Sequence, residues 1–178
     1  MPLSLERGMR LYAIAMPVHL RYCPACAGKL EIRSVGHPAS PHPACAACDF
    51  VLWQNPKPSV EALIIRNPGP DAEILLGQRG IEPAEIRWDV PGGFLNLGDE
   101  PEQALARECL REFGVSIRVR ELIAAFTDAF EGGMIALYYE CAIESGEPRA
   151  ADIVDGVSWF PVVSPPEMLY EGSRKALE

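Results

Sequence analysis

Gly93-Phe-Leu-Asn-Leu-Gly-Asp-Glu-Pro-Glu-Gln-Ala-Leu-Ala-Arg-Glu-Cys-Leu-Arg-Glu-Phe-Gly-Val115 reads as a loop running into a helix. Gly92-Gly93 permits a tight backbone turn. Asp99, with Glu102 three residues on and Pro101 in the first turn, predicts the helix start, and Gly114 its end after about Phe113. At about 100° per residue, Leu105, Ala106, Cys109, Leu110 and Phe113 form an apolar arc, while Glu108 and Glu112 project together from another side. Like charges four residues apart cost a helix a few tenths of a kcal/mol. The pair is therefore either solvated or held for a cation.

The full spacing resembles the Nudix box: Gly, five residues, Glu, seven residues, Arg-Glu, apolar, any, Glu-Glu, any, Gly, apolar. Gly93, Arg107, Glu108, Glu112, Gly114 and Val115 match it, which is what separates this helix from an ordinary solvated one. Asp99 stands where the box has Glu, a shorter carboxylate that still suits a helix N-terminus. Cys109 is loosely the apolar residue. Arg111 replaces the first Glu of the Glu-Glu pair, so it subtracts an anionic ligand and adds a cation. It can pair with Glu108 or Glu112. Against a divalent ion about 6 Å away, it would cost several kcal/mol at an effective dielectric near 20. Its long stem also lets the head swing to solvent or toward a diphosphate, which its planar fork suits.

With 178 residues, the chain is long enough for one ordinary domain and a small module. A hydrophobic share of 48% supports a packed core. No apolar run approaches the 18 or so residues that cross a bilayer, so a membrane partner is not expected, and the chain reads as a cytoplasmic one. A net charge of −9 argues against nucleic acid as a nonspecific partner. An anionic substrate then needs local cations: bound metal, or arginines such as Arg79, Arg87 and Arg107.

Residues 1–19 carry Arg7 and Arg10 ahead of the short apolar run Leu11–Ala15, followed by Pro17. The run is too short for a secretory signal. The segment reads as a poorly ordered leader, or as an early start with Met16 the true first residue.

Cys23-Pro-Ala-Cys26 and Cys45-Ala-Ala-Cys48 are 18 residues apart, a spacing that suits a four-cysteine zinc ribbon over 20–54 better than disulfides or free thiols. Four thiolates leave no open position, so such a zinc is structural. Strands are expected near Lys29–Val35 and Asp49–Trp53, with His37 and His42 as loop residues. Gln54-Asn-Pro-Lys-Pro58 reads as a stiff linker opening a second domain, 55–178. Val60–Arg66 and Glu73–Arg79 are expected as a hairpin around Asn67–Asp71. Further strands are expected at Ser116–Phe126, Met134–Ile143 and Gly156–Pro161, with a short helix within Pro165–Glu178. Glu144–Asp155 reads as an acidic loop long enough to close over a site.

This order, with Trp88-Asp-Val-Pro-Gly-Gly-Phe94 and the late Trp159-Phe160, resembles zinc-ribbon Nudix hydrolases of the ADP-ribose or FAD pyrophosphatase type over residues 20–178. The resemblance implies an α/β fold, an α/β/α sandwich with a mixed sheet. It implies cleavage of a nucleoside diphosphate linked to another group, with Mg²⁺ or Mn²⁺, besides the structural Zn²⁺. Carried over, Glu108 and Glu112 become metal ligands, Arg107 orients them, and Gly92 offers its backbone carbonyl to the metal. Arg111 cannot ligate; with Arg79 it is a candidate for binding the small-molecule nucleotide. The catalytic base in this family often lies outside the box, and Asp128, Glu131, Glu144, Glu147 and Asp152 are candidates. The Ser-Gln-Pro-Trp-Pro-Phe-Pro run of the NADH-cleaving branch is absent after Val115. A homodimer is the default assembly. The rival reading, carried by Arg111 and Asp99, is a Nudix-fold protein that binds nucleotide with its catalysis impaired.

Overall fold

The structure is a computed structural model and describes residues 20–53, 55–79, 87–128 and 133–178. The expected leader, Glu131 and the side chain of Asp128 lie outside the described residues. Two units are distinguished, one of the described residues up to Pro56, the other of Lys57–Asp128 with Met134–Glu178. No helix among the described residues is long and apolar enough to cross a membrane.

In the smaller unit β1 (Leu30–Val35) pairs antiparallel with β2 (Ser40–Cys45), from Leu30 opposite Cys45 to Val35 opposite Ser40. The second strand was expected at Asp49–Trp53. That segment instead makes a single bridge, Val51 to Ala44. β2 contains Pro41 and Pro43, and proline donates nothing to a ladder. They are tolerated because the backbone groups of Pro43 and Cys45 face away from β1: Pro43 O accepts from Leu52 N at 2.8 Å, and Cys45 N donates to Phe50 O at 2.9 Å.

In the larger unit the sheet runs β5 (Trp88–Asp89), β4 (Glu73–Arg79), β3 (Lys57–Arg66), β8 (Met134–Ser145), β7 (Ser116–Asp128). β3 and β8 are parallel, from Lys57 opposite Met134 to Ile64 opposite Cys141, and the other pairs are antiparallel. The sheet is therefore mixed, as expected. The expected β3–β4 hairpin pairs over only two steps, Ile65 with Ile74 and Arg66 with Glu73. Beyond them the strands part. On that edge β4 takes β5 at Gly77 and Gln78, while β9 (Val154–Pro161) runs along the other edge of β4; β3 takes the short β6 (Gly92–Phe94), with Glu61 opposite Gly92 and Val60 opposite Gly93. The parting places the glycine pair alongside the buried half of β3, next to α1 (Pro101–Phe113).

Alternation along the strands makes the layers. Val60, Ala62 and Ile64 join Leu75, Tyr139 and Cys141 in a core with Leu105, Cys109 and Phe113 of α1. Leu63, Ile74, Leu76, Val90, Ala136 and Tyr138 face the opposite way and pack with Met168, Ala176 and Leu177 of the C-terminal segment, which carries α2 (Glu171–Lys175). Helix α1 starts one residue later than expected. Glu100 is the N-cap without a side-chain cap bond, because Pro101 takes the first helical position and Asp99 is engaged elsewhere. Gly114 ends the helix in the left-handed region at φ 67°, its N–H donating to Leu110 O. The buried stripe is Ala104, Leu105, Glu108, Cys109, Glu112 and Phe113, while Leu110 is 57% exposed. The two glutamates therefore flank the apolar stripe and are buried with it, where the expected arc had Leu110 inside.

Candidate active site at the glycine pair

Each glycine of the pair is small because a carboxylate lies against it. A side chain on Gly92 would run into Glu61 Oε2 and the Val60 carbonyl, and one on Gly93 would meet Glu108 Cδ at 3.3 Å. Gly92 N–H donates to the Glu112 carboxylate. Glu108 and Glu112 are 8% and 5% exposed. Burial pushes the Glu112 carboxyl up, opposed by the Arg111 charge and the Gly92 N–H.

The Arg111 guanidinium sits between these carboxylates. Nε and Nη2 donate to Glu108 Oε2 at 3.0 and 2.6 Å, Nη2 donates to Glu112 Oε1 at 3.0 Å, and Nη1 pairs with Asp152. Thus one oxygen of each glutamate converges on a single cationic nitrogen. Arg107 forks onto Asp99, with Nη1 to Oδ1 at 3.2 Å and Nη2 to Oδ2 at 2.9 Å, and its Nε reaches Glu108 Oε1 at 3.3 Å. The fork holds the Asp99 carboxyl down at about 2, aided by the Asn96 backbone N–H. Asp99 is thus a clamp for Arg107 and for the entry loop, not a helix cap.

The segment carrying Asp152 is tied to the end of α1. Arg149 N donates to Phe113 O and Ala151 N to Glu112 O, each at 3.0 Å, which satisfies carbonyls that the last turn leaves open. Asp152 itself adopts φ 53°. Among the described base candidates, Glu144 pairs with Arg118 at 4.0 Å and Glu147 is exposed, so Asp152 is the one whose carboxylate meets the arginine between the glutamates.

Three polar residues, Glu61 buried and Asp89 and Tyr170 half-buried, were not anticipated. Glu61, 7% exposed, lies opposite Gly92, its carboxyl pushed well up by burial and by the Asp89 charge. Asp89, held at about 7 by burial, accepts from Val90 N at 2.8 Å and Tyr170 N at 3.0 Å. Tyr170 accepts from Arg79 Nη1 at 3.1 Å. Arg79 thus faces Glu61, Asp89 and Glu112, whose carboxyls its charge lowers. A signal for Glu61 was present: it interrupts the apolar run Val60–Ile65, where an ionisable side chain is seldom buried without a role or a partner. Asp89 and Tyr170 left none, since their approach is made by the C-terminal segment returning beside β5. Arg87 reaches Glu167 at 3.7 Å.

In the smaller unit the four cysteine sulfurs all lie within 4.8 Å of one another, with Cys23–Cys48 at 3.7 Å and Cys26–Cys45 and Cys26–Cys48 at 3.5 Å. A tetrahedral ion with bonds near 2.3 Å sets its sulfurs about 3.8 Å apart, so the quartet fits zinc. Ala25 N–H and Ala47 N–H donate to Cys23 Sγ and Cys45 Sγ at 3.4 and 3.3 Å, and the latter bond pulls the Cys45 thiol down to about 7. His42 stacks near Trp53 at 4.7 Å and is not part of the quartet. Among the described residues no carboxylate group is gathered as closely; the acids of the larger unit are spread around Arg111.

Comparison with known proteins agrees with this geometry. Residues 55–178 match the NUDIX domain model. A MutT-like protein of Streptomyces ambofaciens is 31% identical over 57% of this chain and 62% of its own length, so the match leaves more than a third of that relative uncovered. An ADP-ribose pyrophosphatase of Methanocaldococcus jannaschii is 25% identical over 70% of this chain and 73% of its own. A NUDIX hydrolase from Nitrosomonas europaea superposes with a TM-score of 0.73 over 89% of this chain and 88% of its own, at 22% identity. The chain belongs to the Nudix family.

Proposed function

We propose that the chain hydrolyses the diphosphate bond of a nucleoside diphosphate joined to another group, ADP-ribose, FAD or a similar molecule, with Glu108, Glu112 and the Gly92 backbone carbonyl holding Mg²⁺ or Mn²⁺. The observation that carries this is the convergence of Glu108 Oε2 and Glu112 Oε1 on one cationic atom of Arg111, at 2.6 and 3.0 Å. Both oxygens belong to buried carboxylates backed by glycines, a hard-donor set that suits a divalent cation with retained waters. A cation held there supplies charge neutralisation on the diphosphate and activation of a water. The chain's own groups do the rest. Arg107, anchored on Asp99, fixes the Glu108 carboxylate; Arg79 and Arg111 offer guanidinium donors to phosphate oxygens. The archaeal relative named for ADP-ribose cleavage supports this class of substrate. We take residues 20–54 as a structural zinc ribbon and 55–178 as the hydrolase domain.

The test is turnover of ADP-ribose, FAD and NADH with Mg²⁺ or Mn²⁺ by the natural chain and by Glu112→Gln. We expect Glu112→Gln to lose at least about a hundredfold in kcat with its fold intact by circular dichroism; unchanged turnover defeats the proposal. A second reading is favoured by the same guanidinium: a nucleotide-binding protein whose metal position is filled by Arg111. Binding without turnover in the natural chain, together with turnover in Arg111→Glu, selects it.

A further inference from the structure

Arg111 and Asp152 are unusual partners because each has a reason to be elsewhere. Arg111 stands between two buried glutamates that it neutralises, yet its side chain is 45% exposed and reaches Asp152 with its other terminal nitrogen. Asp152 sits at φ 53°, in the left-handed region that side chains rarely adopt. Its segment is pinned to the last turn of α1 by the Arg149 and Ala151 amides. Gly146 and Gly114 permit that close approach: a side chain on Gly146 would meet Gly114 O at 2.6 Å, and one on Gly114 would meet Arg149 Nε at 2.9 Å. The packing thus holds one carboxylate beside the guanidinium, on the side away from the glutamates.

We infer that Arg111 is a resident counter-cation of Glu108 and Glu112, and that Asp152 is the acceptor onto which its guanidinium moves when a divalent cation takes the glutamates. This rests on the proposal that those glutamates hold the metal. Without the metal, Arg111 neutralises two carboxylates that would otherwise repel one another in a buried place. With it, the guanidinium cannot keep both contacts, since one oxygen of each glutamate is shared with the incoming ion. Asp152 then becomes its remaining partner. The arginine stays charged, tethered and close to the site, where its fork is available to the diphosphate. Asp152 is thus a positioning residue acting through Arg111.

Among the described residues Arg111 has Glu108, Glu112 and Asp152 as partners, so removing Asp152 takes one of three from the metal-free state and the one the metal does not compete for from the metal-bound state, and metal binding weakens. The experiment is titration of the full chain with Mn²⁺ alone, without nucleotide, following free Mn²⁺ by electron paramagnetic resonance. The proteins are the natural chain, Arg111→Ala, Asp152→Asn, the double variant and Glu112→Gln. We expect Arg111→Ala to bind Mn²⁺ more than about tenfold tighter. Asp152→Asn is expected to bind it about two- to fivefold weaker. Asp152→Asn on the Arg111→Ala background is expected to change nothing beyond error. An Asp152→Asn effect of equal size in both backgrounds overturns the inference, because Asp152 then acts on the metal directly; no effect in the natural background overturns it too. If Glu112→Gln binds Mn²⁺ as well as the natural chain, or if no variant binds it, the metal proposal itself falls and this inference with it.

Discussion

Asp89 makes the stability of this protein fall as pH rises, opposite to the usual behaviour of a salt-bridged acid. The residue is half-buried, and its carboxyl is held at about 7 in place of 3.8, chiefly by burial, despite the Ser173 hydroxyl and the backbone donors Val90 and Tyr170. A folded-state value above the unfolded one means that the native protein binds the extra proton between about pH 4 and 7. Stability from this group is then full below about pH 4, declines across that window, and is flat above it. The displacement corresponds to about 4 kcal/mol at 1.36 kcal/mol per tenfold, an upper figure because structure retained in the unfolded chain reduces it. Asp89→Asn removes the titration. It also leaves either the Val90 or the Tyr170 N–H facing an amide donor, a pH-independent loss of about 1–3 kcal/mol. Urea unfolding at steps from about pH 4.5 to 7.5 separates the two effects. The natural chain should lose stability with pH and the variant should be lower at acid pH but less sloped, so the curves converge. Glu61 is coupled to the result: relieved of the Asp89 charge, its own carboxyl drops, which flattens the variant further. Equal slopes in the two proteins, or a natural chain whose stability rises across the window, would refute the reasoning.

Gly92→Ala forces a Cβ into Glu61 Oε2 and the Val60 carbonyl, and backbone cannot yield as a side chain does. A loss of about 3 kcal/mol lowers the melting temperature by about 6–12 °C, measured by calorimetry; a shift under about 2 °C contradicts the packing described. The cysteine quartet should carry one zinc per chain by elemental analysis. Cys26→Ser should lower zinc affinity by at least about a hundredfold in competition with a chelator, since one thiolate of a closed shell is removed.

Local signals located α1 to within a residue at its start and at its end. Gly114 did so because the left-handed turn after the last helical residue favours glycine for a steric reason that is independent of context. Asp99 misled because two readings of a carboxylate before a helix compete. The cap was expected, whereas Arg107, two turns along the same helix, captures the side chain with a charged fork that a backbone N–H cannot match. Likewise, β2 was unreadable in a segment containing Pro41 and Pro43, because which edge of a strand faces its partner is set by pairing and not by composition.

The sequence by itself determined the family-sized pattern: the glycine pair, the helix with Glu108 and Glu112 a turn apart, the two cysteine knuckles, and the longer strands of the larger unit. Each depends on spacing along one element, and helix and strand periods turn spacing into position without reference to the rest of the chain. Only the tertiary structure decided the surroundings of that pattern. It parted β3 from β4 so that Glu61 meets Gly92, and it brought Tyr170 back to Asp89 across 81 residues of chain. It also pinned the segment after Gly146 to α1 so that Asp152 reaches Arg111. Those contacts join residues on different elements, and their strength comes from burial and from charges brought together at close range. Neither exists until the sheet and its two flanking layers have assembled.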